Sequence, residues 1–151
     1  MKYSIIVPVF NRPNEVEELL ESLTHQTIQN FEVIIVEDGS QIPCHDICNQ
    51  YKTQLNIHYF MKENSGPGQS RNFGAARAQG EYLLILDSDV VLPDNYLKSV
   101  DNELQRKPAD GFGGPDCAHP SFTDTQKAIS YSMTSFFNDA IIGLRNSLAK
   151  Q

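Results

Sequence analysis

Short apolar runs alternate along most of the chain with stretches whose apolar side chains recur at helical spacing. The runs are short and rich in β-branched residues, which is typical of strands buried on both faces of a sheet. Strands are predicted over residues 3–9, 31–37, 55–61 and 82–86. Helices are predicted between and after them, over residues 13–23, 46–53, 69–79 and 95–104, the last with Asp94 as its cap.

This alternation predicts an α/β fold with three layers, α/β/α, around a mainly parallel sheet. In such sheets the carboxyl ends of the strands meet at one edge, and ligands bind there. Polar segments follow each of the four predicted strands, at residues 11–12, 38–40, 64–68 and 87–89. We therefore expect these segments to form one site.

The end of the chain follows a different pattern. Residues 111–115 predict a short glycine-rich strand or loop. Thr123 and Gln126 then match a capping box, and the apolar spacing after them predicts one long amphipathic helix over residues 123–148. The apolar stripe of this helix predicts contacts with the core, and a homodimer contact is a second interpretation of the same stripe. We divide the chain into an α/β region, 1–115, and a helical tail, 116–151.

Charge narrows the classes of partner. The 151 residues include 12 Lys and Arg against 19 Asp and Glu, which gives a net charge of −7 and a pI near 4.9. Nucleic acids and anionic membranes are bound through basic patches, so neither is expected as the main partner. No apolar run approaches the roughly 20 residues of a membrane-spanning helix. These features favour a cytoplasmic protein.

Three cysteines cannot all pair, which also favours a reduced compartment. Cys44 and Cys48 lie one helical turn apart, and Cys117 and His119 would complete four zinc ligands. Their spacing matches no compact zinc ribbon or finger, so the pattern disfavours a structural zinc.

Two carboxylates, Asp87 and Asp89, bracket Ser88 at the end of the most apolar strand. Residues i and i+2 of an extended segment point the same way, so these like charges repel unless a cation lies between them. A hard divalent ion such as Mg²⁺ or Mn²⁺ suits this pair and keeps positions open for phosphate oxygens. Alternatively, one Asp caps the next helix and the other is solvated.

The other strand ends also admit two interpretations. Asp38 either caps a turn or accepts hydrogen bonds from a ribose hydroxyl or a base. Gly66 and Gly68 allow a close backbone approach to a ligand, and Arg71 could meet a diphosphate or a base. An ordinary turn followed by an exposed arginine explains the same residues.

The order of four segments resembles the inverting glycosyltransferases of family 2. Residues 5–12 (IIVPVFNR) are similar to the family's opening strand, and residues 31–40 (FEVIIVEDGS) to its second strand. Residues 64–74 resemble its N-x-G…A-R-N-x-G segment, and residues 81–93 (EYLLILDSDVVLP) its Asp-x-Asp strand. The resemblance departs at Glu37 and Ser70, where the family usually has Asp and Ala.

This resemblance implies the nucleotide-binding half of a GT-A fold, apparently truncated, with only the start of an acceptor half. It implies a UDP-sugar donor, a glycan or glycoconjugate acceptor, transfer with inversion, and Mn²⁺ or Mg²⁺. The metal would be held by Asp89 and Asp87, and Asp38 would bind the uracil. The implied nucleotide-binding residues are Pro8, Val9, Phe10, Asn11, Arg12, Glu37, Asp38, Gly66, Arg71, Asp87 and Ser88.

The family's catalytic base lies in its second half, which needs about another hundred residues. We therefore expect the base beyond Gln151 and a chain that binds its donor better than it transfers the sugar. The family's roles suggest synthesis of a surface polysaccharide. Peripheral membrane association could then come through the acceptor or the missing half.

Two other functions are weighed against this one. A haloacid-dehalogenase-type phosphatase also has Asp-x-Asp after an apolar strand, but it usually carries the motif near its N-terminus, whereas Asp87 comes late. A non-catalytic nucleotide-binding or interaction module would share the binding site and lack the transfer. Turnover of a nucleotide sugar with an acceptor separates that module from a transferase.

Overall fold

The computed structural model of the chain describes residues 1–114 and 141–145. These residues form β1 (Tyr3–Val9), α1 (Pro13–Thr24), β2 (Phe31–Asp38), α2 (His45–Tyr51), β3 (Ile57–Lys62), α3 (Pro67–Ala75), β4 (Tyr82–Ile85), α4 (Tyr96–Arg106), β5 (Gly111–Gly114) and β6 (Ile141–Arg145). The strands and helices predicted over the first 106 residues are all present, and only their ends differ. None of the helices in this part of the chain is long and apolar enough to span a bilayer.

In the described part of the chain, six strands form one sheet in the order β3-β2-β1-β4-β6-β5. Strands β1 to β4 are parallel, and β6 is antiparallel to both β4 and β5. Tyr3 of β1 pairs with Phe31 of β2 on one side and with Tyr82 of β4 on the other. The predicted mainly parallel sheet is therefore confirmed, and β1 lies inside it.

Helices cover both faces of the sheet. Ile5 and Val7 of β1 are buried in one core with Leu19 of α1. Helix α3 packs on β1 and β2, and a Cβ built on Gly74 would lie 2.6 Å from Cγ2 of Ile6. Alternate residues of a strand point to opposite faces, so α1 and α3 lie on opposite sides. This confirms the predicted three layers.

The structure contradicts the helix predicted over residues 123–148 at Ile141–Arg145, which form β6. Gly143 of β6 pairs with Leu84 of β4 and with Phe112 of β5. Without β6, the apolar strand β4 would present an open edge, and pairing along that edge outweighs the helical spacing. Strand β6 belongs to the tail, 116–151, yet joins the sheet of the first region. The rest of the predicted helix lies outside the described residues, and the homodimer contact expected on it stays a prediction.

The predicted cap of α4 is also wrong. The residue that precedes the helix is Asn95, which makes no capping hydrogen bond with its side chain. The carbonyl of Asp94 instead accepts a hydrogen bond from the backbone amide of Thr27, at 2.9 Å. Gln26 Oε1 accepts one from the amide of Leu97, at 3.1 Å. A side chain remote in sequence thus satisfies the first turn of α4.

Candidate functional site

An open cavity of about 360 Å³ lies at the carboxyl ends of β1, β2 and β4. Its walls are formed by Pro8, Val9, Phe10, Arg12, Asp38, Pro67, Asp87, Ser88 and Asp89. Pro67 lies in the predicted segment 64–68, but it is not among the residues that the resemblance implies for nucleotide binding. Each of the four segments predicted after the parallel strands therefore contributes to this cavity, as expected for a parallel sheet.

Two arginines neutralise the two carboxylates of the Asp-x-Asp segment. Arg12 Nη1 lies 2.9 Å from Asp89 Oδ2, and Arg71 Nη2 lies 3.0 Å from Asp87 Oδ1. Arg71 does not line the cavity itself, but this ion pair joins it to the wall. The two arginines and the two aspartates carry no net charge together, which bears on how a cation could bind.

Asp38 is only 4% exposed, although it lines the cavity. Lys62 Nζ donates a hydrogen bond to Oδ1, and the amides of Ser65 and Gly66 donate to Oδ1 and Oδ2 at 2.9 and 2.8 Å. Burial alone raises the pKa of Asp38, but the hydrogen bonds from Lys62 and from the two amides outweigh it, so the pKa lies below its ordinary value. Asp38 is therefore ionised near neutral pH and holds the loop after β3.

Gly66 does not line the cavity; it acts through its backbone in the loop after β3. Its φ of +91° is in the region that favours glycine, and its amide faces Asp38. Gly39, at the end of β2, also has a positive φ of +72°, and a Cβ there would lie 2.8 Å from the backbone nitrogen of Asn64. The loops after β2 and β3 pack closely enough to require glycine at Gly39.

Lys62 was missed by sequence reasoning. It is the last residue of β3, and the parallel register places it opposite Asp38. Its Nζ also donates to the carbonyl of Glu63, at 2.9 Å, and to Ser65 Oγ, at 2.5 Å. A lysine at a strand end is not distinctive, and only the register between β2 and β3 could have indicated this pair.

Asn11 shapes the chain after β1 but does not line the cavity. Its φ is +52°, a left-handed conformation that asparagine tolerates better than most residues. Its Oδ1 accepts hydrogen bonds from the amides of Gln41 and Ile42, at 2.7 and 3.0 Å, and its own amide donates to Ser40 Oγ. Asn11 thereby ties the end of β1 to the turn after β2.

Glu37, predicted to contact the nucleotide, lies inside the molecule. It is 0% exposed and accepts hydrogen bonds from Ser40 Oγ, from the amide and Sγ of Cys44, and from the hydroxyl of Tyr59. Strand residues alternate between the two faces, so Glu37 and Asp38 point in opposite directions. The structure therefore places Glu37 as a support for the turn at residues 39–44, away from the cavity.

Cys44 and Cys48 lie apart from the cavity. The sulfurs of Cys44 and Cys48 are 3.9 Å apart and buried, whereas Cys117 and His119 lie outside the described residues. The hydrogen bond with Cys48 and burial raise the pKa of the Cys44 thiol. This favours the neutral thiol over the thiolate that zinc requires.

Asp87 and Asp89, which the sequence predicts as cation ligands, are two of the carboxylates that line the cavity. Within the described residues, no group of three or more His, Cys, Asp or Glu side chains could hold a metal by itself. Mg²⁺ in proteins is usually held by one or two carboxylates together with waters and substrate phosphates. The two aspartates fit this second arrangement, in which a diphosphate supplies the missing ligands.

Comparison with known proteins identifies the family. A family model described as glycosyl transferase family 2 matches residues 4–139. The chain belongs to glycosyltransferase family 2. This membership confirms the resemblance seen in the sequence, and it gives no support to the phosphatase alternative.

Several proteins named as glycosyltransferases resemble the chain over about two thirds of its length. A glycosyltransferase of Rickettsia bellii is 41% identical over 106 residues, which are 70% of this chain and 15% of that protein. GlyG of Streptococcus pneumoniae is 36% identical over 109 residues, 71% of this chain and 36% of that protein. The poly(ribitol-phosphate) beta-N-acetylglucosaminyltransferase TarS of Staphylococcus aureus is 37% identical over 104 residues, 66% of this chain and 18% of that protein.

Solved structures share the fold. The crystal structure of S. aureus TarS 1-349 in complex with UDP-GlcNAc matches with a TM-score of 0.75 and 29% identity, over 99% of this chain and 47% of that chain. The mannosyltransferase PcManGT from Pyrobaculum calidifontis, in complex with GDP-Man and Mn²⁺, matches with a TM-score of 0.70 and 17% identity, over 95% and 44%. The expected GT-A fold is confirmed, and the chain spans about half the length of these solved chains.

Proposed function

We propose that this chain is the donor-binding part of a glycosyltransferase that uses a UDP-sugar and a divalent cation. The observation that carries the proposal is the meeting of Arg12, Asp38, Asp87 and Asp89 in one cavity at the strand ends of a family-2 fold. The bound UDP and UDP-GlcNAc of TarS, which is similar to this chain, support uridine as the nucleoside.

Each wall of the cavity suits one part of such a donor. Phe10 is 51% exposed and offers a ring face on which a base can stack. Asp38 Oδ2 accepts one hydrogen bond from the chain and keeps an acceptor position, which suits the N3–H group of uracil. Arg12 and Arg71 carry positive charge toward a diphosphate. A cation on Asp87 and Asp89 would neutralise the charge that develops on the departing UDP.

The proposed reaction is one in-line displacement with inversion. The oxygen of an acceptor hydroxyl forms a bond to the anomeric carbon as the bond from that carbon to the diphosphate oxygen breaks on the opposite face. The diphosphate oxygen keeps the electron pair of the broken bond, and the hydroxyl proton passes to a base. We propose that this base lies outside the described residues, in keeping with the expected acceptor half.

The acceptor is proposed at the level of class, as a glycan or glycoconjugate. TarS is named as a poly(ribitol-phosphate) beta-N-acetylglucosaminyltransferase, which supports a polymeric glycoconjugate as the acceptor class. Peripheral membrane association would follow from such an acceptor. A cytoplasmic location, membrane association and a homodimer contact stay predictions.

Calorimetric titration with UDP tests the donor site. UDP is expected to bind in the presence of Mn²⁺. Its affinity is expected to fall about tenfold or more in EDTA, which removes the cation, and in Asp89→Ala, which removes a carboxylate ligand of the cation. Asp46→Ala is the matched control, since Asp46 is an exposed aspartate on α2, away from the cavity. Absence of UDP binding by the wild-type chain in Mn²⁺ would contradict the proposal.

A binding-only role is the second candidate, because the chain spans 47% of the solved TarS chain. Incubation with UDP-GlcNAc and a poly(ribitol-phosphate) acceptor separates the two functions. Release of UDP that depends on the acceptor favours the transferase. Metal-dependent UDP binding with no such release favours a chain that binds the donor only.

A further inference from the structure

We propose that Arg12 and Arg71 make cation binding at Asp87 and Asp89 depend on the nucleotide diphosphate. Without a donor, each arginine neutralises one aspartate; when the diphosphate arrives, both guanidinium groups transfer to it and release the aspartates to the cation. This inference rests on the proposed function and names the regulation of that same site.

The pairing of charges is the first observation. Arg12 Nη1 holds Asp89 Oδ2 at 2.9 Å, and Arg71 Nη2 holds Asp87 Oδ1 at 3.0 Å. A dication that approaches this group meets no net negative charge and two nearby positive ones. Coulomb repulsion from each guanidinium therefore lowers the affinity for a cation that arrives alone. A diphosphate reverses the balance, because it brings several negative charges.

The ion pairs can open at little cost. The Asp89 and Asp87 side chains are 54% and 56% exposed, and those of Arg12 and Arg71 are 48% and 38% exposed. Pairs between solvent-exposed groups shift an equilibrium by no more than about fivefold. A diphosphate offers two oxygens to the planar guanidinium group at once, and this bidentate contact is stronger than a contact with one carboxylate oxygen. Exchange of partners is therefore favourable once the donor is bound.

The orientation of Arg71 supports the exchange. Among the described residues, its Nε has no hydrogen-bond partner although the atom is buried. A buried N–H group without an acceptor is costly, so the present contact with Asp87 leaves part of the guanidinium unsatisfied. A phosphate oxygen near Nε would satisfy it. Arg71 thus gains a hydrogen bond by leaving its aspartate.

Coupling between the two ligands follows from this exchange. The cation binds weakly to the donor-free chain and strongly to the chain with a diphosphate. By linkage, the cation must raise the affinity for the diphosphate by the same factor. The chain would therefore take up the cation and the nucleotide together rather than store the cation alone.

Electron paramagnetic resonance of free Mn²⁺ tests the inference by direct binding at low ionic strength, without an activity assay. After subtraction of the Mn²⁺ that UDP binds in a solution without protein, the wild-type chain is expected to bind Mn²⁺ at least about tenfold more tightly with UDP than without it. The double variant Arg12→Gln with Arg71→Gln is expected to bind Mn²⁺ alone about tenfold more tightly than the wild type, and UDP should then add less. Arg106→Gln is the matched control, because Arg106 pairs with Glu103 on α4.

Charge and shape are separated by the conservative variants. Arg12→Lys with Arg71→Lys keeps both charges, so it should keep the weak binding of Mn²⁺ alone. If the double glutamine variant unfolds, Arg12→Gln alone should still bind Mn²⁺ about threefold more tightly than the wild type. An unchanged Mn²⁺ affinity without UDP in a folded glutamine variant overturns this inference and leaves the proposed function standing. Absence of UDP binding by the wild type in Mn²⁺ overturns both.

Discussion

At the residue scale, one aspartate combines support for a loop with contact to the cavity. The carboxylate of Asp38 accepts three hydrogen bonds, one from Lys62 Nζ and two from the amides of Ser65 and Gly66. Asp38 still lines the cavity. The loop that follows β3 and the proposed binding site for the uracil therefore depend on the same carboxylate. A substitution that disturbs the loop should also weaken binding of the uracil.

Lys62→Met is expected to lower the free energy of unfolding by about 2 kcal/mol at pH 7, because it leaves the buried Asp38 carboxylate without its counter-ion. The Lys62 and Asp38 side chains are 14% and 5% exposed, so solvent screens the pair little. Urea denaturation of both proteins measures the loss. Lys52→Met is the matched control, since Lys52 is exposed at the end of α2.

The same pair predicts a dependence on pH. The pKa of Asp38 is lowered in the folded chain, so the stability that this group contributes is present above its unfolded value of 3.8 and is lost as the pH falls through the lower folded value. Wild-type stability should therefore fall below about pH 4. Lys62→Met should lose less over this range, and an equal loss in both proteins would show that the pair does not set the dependence.

At the scale of elements, close packing of α3 against the sheet positions Arg71. Gly74 leaves no space for a side chain, since a Cβ would lie 2.6 Å from Ile6 Cγ2 and 3.3 Å from Val36 Cγ2. These contacts fix how far α3 lies from β1 and β2. Arg71, one turn earlier on the same helix, reaches Asp87 from that position.

Gly74→Ala is therefore expected to cost about 1–3 kcal/mol of unfolding free energy, because the new methyl group overpacks the interface between α3 and the sheet. Gly68→Ala is the matched control on α3, where a Cβ meets nothing within 4 Å. There the change should be neutral or stabilising by about 0.5 kcal/mol, since alanine favours the helix. Thermal or urea unfolding measures both variants, and equal effects would contradict the packing argument.

At the scale of the whole molecule, the candidate site exists only when the strands are paired. Arg12 follows β1, Asp38 ends β2 and Asp87 follows β4, and these segments are distant along the chain. Occupation of the site should therefore stabilise the entire sheet. A ligand that binds only the folded state raises stability in proportion to the logarithm of its concentration.

UDP with Mn²⁺ at about 100 times its dissociation constant should raise the unfolding free energy by about 2.7 kcal/mol, seen as a higher melting temperature. CDP at the same concentration should give a smaller shift, because N3 of cytosine carries no hydrogen to donate to Asp38. Asp89→Ala should reduce the shift from UDP with Mn²⁺. Equal shifts from UDP and CDP would contradict the role of Asp38 in base recognition.

The sequence by itself determined strands β1 to β4, the helices α1 to α4 and the edge of the sheet at which the cavity lies. Local apolar periodicity specifies β1 to β4, and the polar residues after them, such as Arg12, Asp87 and Asp89, mark where those strands end. Parallel pairing then brings the ends together, which is why most residues that line the cavity could be predicted without a structure. The order of the motifs was enough to indicate the family.

Only the tertiary structure decided the features that depend on which strands pair and in what register. Helical spacing over residues 123–148 competes with the open edge of β4, and pairing along that edge turns Ile141–Arg145 into β6. Register places Lys62 beside Asp38, and strand alternation turns Glu37 inward. These outcomes follow from contacts between residues far apart in the chain, which local periodicity does not contain.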